Sequence, residues 1–431
     1  MLGDLQRRGM RIKNDVMDAD VIIVNTCAFV EDAKRESIAA VVEAAGLKAD
    51  RAVPARALFV TGCLAQRYAD ELAVELPEVD AIVGFENYSD LPAKVADIFD
   101  KDYEEQSSSS RASVFVGSPT VPFRSEEDRW QLTPSHSAYI RVAEGCDHEC
   151  TFCAIPGFRG AFRSKPFDTA VAEAERLAER GVRELNLIAE DTNQYGADFQ
   201  ADPRRLPELL HALAAIPQLK WIRLLYCFPS YFSDELIEAI ASIDKVVKYI
   251  DIPLQHLTPS VLTRMRRPGS KGTEAILRKL RERVPDLVLR TTFICGFPGE
   301  TDEEHAELVQ RAAKMHFARG GAFSYSAEDG TVAGQMAAQV EDEIKQDRRD
   351  ELTSLFQHES RSWAEGQLGR ELDVMIDRMD GNDAIGRTEY DAPEIDNIVR
   401  IPAMPLLPGS VVRCRVVAVD DVDLIAEPAG M

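Results

Sequence analysis

Three cysteines in the run EGCDHECTFCAIPGFRG, namely Cys146, Cys150 and Cys153, constrain this chain more than any other feature. Their spacing is C-x3-C-x2-C. A cubane iron–sulfur cluster that only carries electrons takes four thiolates, so three leave one iron open to a substrate or cofactor. The same logic separates open catalytic metal sites from closed structural ones. The rival reading is a zinc site made of the three thiolates and His148 from the same loop. Against it, C-x3-C is an unusual zinc spacing and no paired knuckle follows.

Composition bounds the rest. At 431 residues the chain exceeds one hydrophobic core and predicts about two to four domains. No stretch of about 18 uninterrupted apolar residues exists, so no membrane-spanning helix is expected. The opening MLGDLQRRGMRIKNDV lacks the apolar core of a secretory signal. Eight cysteines, three of them in the triplet, do not form a disulfide framework and point to a reducing compartment, the cytoplasm or an organelle such as a plastid. The net charge of −23 makes the chain a poor binder of phosphate backbones and suits it to a basic protein. Plain solubility accounts for that charge equally well.

Along the chain the expected fold class is α/β with a small β-barrel at the end. In residues 1–100 the runs VIIVNT, ALFVTG and DAIVG read as strands separated by helices, the pattern of a doubly wound parallel sheet. Residues 101–135, with KDYEEQSSSSR, read as a linker. From 136 to 366 the alternation resumes with AYIRVA, ELNLIA, WIRLLY, VKYIDI, LVLRTTFI and GGAFSY, which predicts a partial (β/α)6 barrel. The triplet falls in the loop after its first strand, on the face where such barrels do chemistry. Residues 367–431 carry short strand-like runs and turn signals, as a small β-barrel requires.

Cys27 ends VIIVNTC and Cys63 follows ALFVTG, so a parallel sheet brings both out at one carboxyl edge. Two readings stand for this pair: cluster ligands, or thiols that merely pack. Cys227, Cys295 and Cys414 have no ligand spacing and read as packing residues.

These motifs resemble the methylthiotransferase family of radical S-adenosylmethionine (SAM) enzymes, with Phe152 before the last cysteine of the triplet as part of the likeness. Within it AEGCDHECTFCAIPGFRGAFRSKP, AEDTNQYGAD, YIDIPLQH, LRTTFICGFPGET, FSYSAEDGT and GRTEYDAPEID are similar to the RimO family, which methylthiolates an aspartate of ribosomal protein twelve of the small subunit. The resemblance runs from residue 1 to 431. It implies an N-terminal methylthiotransferase domain, a radical SAM barrel and a C-terminal TRAM domain. It also implies two 4Fe-4S clusters and SAM as cofactors. NTC and TGC resemble the second and third ligands of an auxiliary cluster, so Cys27 and Cys63 would hold it. The first ligand and its strand would then lie upstream of Met1, about thirty to forty residues away by the usual length of a βαβ unit.

Residue roles follow from the same likeness. Cys146, Cys150 and Cys153 would hold the SAM-binding cluster. Phe152, Glu190, Asp191, Gln255, Arg290 and Thr291 would line SAM, with helix capping the alternative for Asp191 and structural hydrogen bonding the alternative for the last three. Arg159 and Arg163 flank the cluster loop, to balance its charge, to meet the acidic target or to form solvated ion pairs. The reaction implied is reductive cleavage of SAM, hydrogen removal from the aspartate β-carbon, and transfer of a sulfur methylated by a second SAM. Electron and sulfur donors are left unnamed. From Arg370 to Met431 six Arg and no Lys face thirteen Asp or Glu, a net of −7 that argues against tRNA and for a basic ribosomal protein.

Overall fold

The computed structural model describes residues 1–100, 112–119, 123 and 129–430. It separates into two compact units. The first comprises Met1–Trp130 together with Cys153–Ala161 and Ser326–Gly334. The second comprises Gln131–Phe152, Phe162–Tyr325 and Gln335–Met431.

In the first unit the sheet runs β1 (Val21–Thr26), β2 (Ala57–Gly62), β3 (Ala81–Val83) and β4 (Ser113–Phe115), all parallel and in that order. Alternation along β2 decides which side chain goes where. Leu58 and Val60 pack with Val41 and Ala44 of the helix Glu31–Ala49 and with Leu64 and Leu72. Ala57 and Phe59 pack on the opposite face with Leu5, Leu91 and Val95. Both faces are covered, as a doubly wound sheet demands. β4 lies inside the stretch read from sequence as linker. Three residues of β pattern next to a serine run are too short a signal to register, and only pairing with β3 makes them a strand. The segment KDYEEQSSSSR lies outside the described residues.

The second unit begins with β5 (Ser137–Arg141), followed by β6 (Ala143–Glu144), β7 (Arg163–Ser164), β8 (Glu184–Ile188), β9 (Trp221–Leu224), β10 (Val246–Asp251), β11 (Val288–Cys295) and β12 (Arg319–Ser324). Six of these form one parallel sheet in the order β12-β11-β10-β9-β8-β5. The edges β5 and β12 do not pair, so the barrel is incomplete. Its outer face buries Ala138, Ile140, Leu185, Leu187, Ile222 and Ile250 against the helices.

The inner face meets the C-terminal domain. There β13 (Glu371–Asp380), β14 (Asp383–Thr388), β15 (Val399–Ile401), β16 (Val411–Asp420) and β17 (Asp423–Pro428) close a five-stranded barrel. Gly386 lets β14 cross close to β13, since a Cβ there would stand 2.3 Å from the Met375 carbonyl oxygen. Trp221, Val247, Tyr249 and Val288 of the sheet pack with Val374, Met375, Tyr390 and Ala392.

Charges are buried in that same contact. Glu184 is fully enclosed, and its carboxylate accepts from Arg223 at 3.0 Å, from Arg387 of β14 at 2.8 Å and from the Ser137 hydroxyl at 3.0 Å. Arg387 also meets Asp377 at 2.8 Å, and Asp377 pairs with His136 at 2.9 Å. Burial alone would push the Glu184 carboxyl up, but the Arg387 and Arg223 guanidiniums hold it down at about 2.

Glu184→Ala strands two guanidiniums inside the protein and is expected to lower unfolding free energy by about 3–5 kcal/mol in urea titration. A carboxyl with a depressed folded value contributes stability above its unfolded value, here 4.5, and loses it as pH falls toward about 2. Glu184→Gln should therefore flatten the stability profile across that window, and an unchanged profile would refute the assignment.

Candidate active site

The cysteine loop starts where β5 ends. Val142 donates its amide to the Ile188 carbonyl at 2.9 Å and accepts from the Lys165 amide at 2.7 Å. β6 and β7 then pair antiparallel, Ala143 with Ser164 and Glu144 with Arg163. This ladder closes the neck of the loop at the carboxyl edge of β5 and β8. Beyond it, Asp147 Oδ1 accepts the Phe162 amide at 2.9 Å. Thr151 is held by the Met265 and Arg264 carbonyls at 3.1 and 2.9 Å.

A layered stack supports the loop from one side. The His148 ring lies on Phe228, with centroids 3.6 Å apart and planes 11° from parallel. The Arg267 guanidinium also lies against Phe228, 4.2 Å from the ring centroid. Arg267 reaches Cys150 Sγ at 3.8 Å and the Pro253 carbonyl at 2.5 Å. His148 Nε2 stands 2.7 Å from Asp191 Oδ2, and Asp191 is fully buried. His148 is thereby oriented by a buried carboxylate while its ring stays stacked on Phe228. Asp191 precedes the short helical turn Thr192–Gln194 but makes no side-chain cap, so the capping alternative is not realised. Neither Phe228 nor Arg267 was singled out from sequence. Both sit in ordinary turn-rich stretches, and only the fold brings them under the loop.

The remaining expected SAM residues divide. Glu190, half-buried, follows β8 directly beside Asp191. Phe152 is half-buried between Cys150 and Cys153. Gln255 adopts a φ of 69°, with its amide on the Thr292 carbonyl and its carbonyl taking the Ile294 amide, both at 2.8 Å. A non-glycine residue there carries backbone strain of about 1–3 kcal/mol, and the two main-chain bonds hold it at the carboxyl end of β11. Thr291 is buried, its hydroxyl donating to the Ile252 carbonyl at 2.9 Å. Arg290 meets Asp251 at 3.0 Å and stands 3.7 Å from Asp396. Both of these last two bond to groups of the protein itself.

In the first unit Thr26 pairs with Gly62, so Cys27 and Cys63 leave adjacent strands side by side. Gly62, at φ 96°, is required: a Cβ would fall 2.2 Å from the Thr26 carbonyl oxygen. Ser37 grips Cys27 through both its amide and its carbonyl, at 2.9 and 3.1 Å. Arg159 donates to Cys63 Sγ at 3.4 Å while resting 4.4 Å from the centre of the Phe85 ring. The loop Ser326–Gly334 is fixed in the same unit, where Glu328 takes Arg67 at 2.8 Å and Lys34 at 3.1 Å.

Among the described residues no three His, Cys, Asp or Glu side chains converge closely enough to hold a metal ion. Converging thiolates repel until a metal neutralises them, so such cages form with their ion. The donor chemistry nevertheless fits an iron–sulfur cluster. Cys146, Cys150 and Cys153 are half-buried thiols on a loop tied through its other residues, and a guanidinium stands over Cys150. Cys227, Cys295 and Cys414 are buried, and burial pushes their thiols up, as packing residues require.

Comparison with known proteins agrees with this layout. Residues 140–312 match the radical SAM superfamily, residues 1–84 the uncharacterized protein family UPF0004, and residues 368–428 the TRAM domain. A structure of the radical SAM methyltransferase TsrM from Kitasatospora setae, with cobalamin and a 4Fe-4S cluster bound, shares the fold with a TM-score of 0.52 at 16% identity, covering 74% of this chain and 66% of that one. The class is that of the radical SAM enzymes. The ribosomal protein uS12 methylthiotransferase RimO of Desulforamulus reducens is 41% identical over 434 residues, spanning 100% of this chain and 95% of the relative. The protein of the same name from Geobacter sulfurreducens is 40% identical over 431 residues, 99% of this chain and 94% of the relative. The chain belongs to the RimO family of methylthiotransferases.

Asp191→Asn should loosen the cysteine loop by removing a charge-assisted bond of about 1.5–3 kcal/mol. Amide exchange over residues 147–151 is expected to accelerate at least tenfold, and an unchanged rate would show the His148 contact to be incidental.

Proposed function

We propose that this chain transfers a methylthio group to the β-carbon of an aspartate in ribosomal protein uS12. The observation that carries this reading is a cysteine triplet at the carboxyl end of β5 in a chain similar end to end to proteins named for that reaction. Cys146, Cys150 and Cys153 would hold the cluster that binds SAM, and Cys27 and Cys63 would supply ligands to the auxiliary one. When bound, these clusters provide the electron that splits SAM and the sulfur to be transferred.

The chain's own residues do the positioning. Glu190 and Asp191 offer carboxylates to the SAM ammonium, and Phe152 and Gln255 flank the same edge. His148, Phe228 and Arg267 fix the loop so that the thiols converge when iron arrives. Arg159 brings positive charge to Cys63, where an anionic cluster would sit.

The basic ribosomal protein is favoured over tRNA by the net charge of −7 from Arg370 to Met431. Among the described residues no helix is long and apolar enough to cross a membrane. We place the protein in the cytoplasm, beside the ribosomes it would modify.

Anaerobic incubation of reconstituted protein with SAM, a reductant and uS12 should yield 5′-deoxyadenosine and a uS12 heavier by one methylthio group. Cys146→Ala should abolish both. Survival of SAM cleavage in that variant would refute the ligand assignment, and modification of bulk tRNA instead of uS12 would refute the substrate.

A further inference from the structure

The segment that links β14 to β15 enters the inner face of the six-stranded sheet and is fastened there at several points. The Glu389 carbonyl accepts from Arg223 at 2.8 Å, and its carboxylate takes the Lys248 amide at 3.2 Å. Asp391 pairs with Arg319 of β12 at 2.6 Å and accepts the Thr388 hydroxyl at 2.6 Å. Asp396 accepts the Tyr249 hydroxyl at 2.6 Å and the Ala392 amide at 2.9 Å. Asp391 is fully buried, and these acids are consumed by the fold.

Between the two anchors the chain turns outward. Glu394 has φ 63°, a left-handed conformation that glycine or asparagine would adopt at lower cost. It is exposed, and among the described residues its carboxylate receives no hydrogen bond or ion pair. Ile395 beside it is 46% exposed. Glu394 is thus the acid of this segment that folding leaves unused.

Aromatic side chains stand on the inner face of the sheet that this segment enters. Side chains alternate along β12, so Phe323 shares the inner face with Arg319, while Gly320 faces outward onto the Phe356 ring. Phe323 is 57% exposed although it points inward. Tyr226, just past the end of β9, is 46% exposed and also left-handed, with φ 58°. Tyr139 of β5 faces the same space, and its phenol is pushed up by burial and then by the Glu394 carboxylate. Exposed aromatic side chains on the inner face of an open barrel are surface kept for a visitor.

We propose that Glu394, at the tip of this TRAM-domain loop, is a specificity-determining residue that pairs with a Lys or Arg flanking the target aspartate of the substrate protein. The inference rests on the reading of a basic ribosomal protein as substrate and names the residue that would select it. The Asp391 and Asp396 anchors pin the backbone on either side of Glu394, so presenting its carboxylate to a partner costs less ordering entropy than from a free loop. An unpaired carboxylate there favours a cationic segment and rejects an acidic one. Tyr139, Tyr226 and Phe323 would supply contact area around the pair.

The test uses the full-length, anaerobically reconstituted chain with uS12. Glu394→Gln is expected to weaken uS12 binding about tenfold, with a shallower dependence on salt, and to raise KM more than it lowers kcat. Glu394→Lys should weaken it further, and Glu394→Asp should recover part of the loss. Binding of uS12 within twofold of the parent chain in both Gln and Lys variants would overturn the proposal. So would a loss of affinity for SAM in place of uS12, which would assign Glu394 to the cofactor. Failure of the parent chain itself to modify uS12 would instead overturn the substrate reading, so the two outcomes are separable.

Discussion

A carboxylate fully enclosed between two guanidiniums organises the second unit of this protein. Glu184 begins β8, Arg223 lies on β9 and Arg387 comes from β14, so one buried charge joins two strands of the open barrel to the TRAM domain. None of the three can be solvated where it stands, and each is tolerable only with the others present. The inner face of a parallel sheet is normally filled by branched apolar residues. Here buried charges share it with Trp221, Val247, Tyr249 and Val288, and side chains of another domain help to balance them.

That arrangement sets where the chemistry can occur. The amino ends of the strands pack on the TRAM domain, and the cysteine loop, Glu190 and Asp191 gather at the carboxyl ends. The loop itself is long and bears partly exposed thiols, yet its neck is clasped by β6 and β7 and one side rests on Phe228. Rigidity is therefore placed around the ligands and not in them. This suits a site whose final geometry is imposed by the metal.

Much of this was legible in the sequence because each signal was local. The six barrel strands carry enough branched and aromatic residues to stand out, and the triplet stands out by its spacing. Cys27 and Cys63 could be paired because both end apolar runs, and the register of Thr26 with Gly62 makes that pairing concrete. What sequence could not give was anything made by distant contacts. β4 exists through pairing with β3 and has no periodicity of its own. The roles of Arg267 and Phe228 depend on two turns meeting under a third loop. The phrase DAPEID was recognised as a family mark, but a family mark says nothing of why its acids are there. Asp391 and Asp396 prove to be anchors bound to Arg319 and Tyr249, residues far away in sequence.

The late position of those anchors bears on how the protein is made. During synthesis the strands from β5 to β12 leave the ribosome well before the segment Glu389–Asp396, whose Asp391 neutralises Arg319 and whose Glu389 carbonyl accepts from Arg223. A nascent barrel must therefore wait with the Arg319 guanidinium unbalanced on its inner face until nearly the whole chain has emerged. Its final packing, and with it the setting in which iron is loaded, belongs to the completed polypeptide.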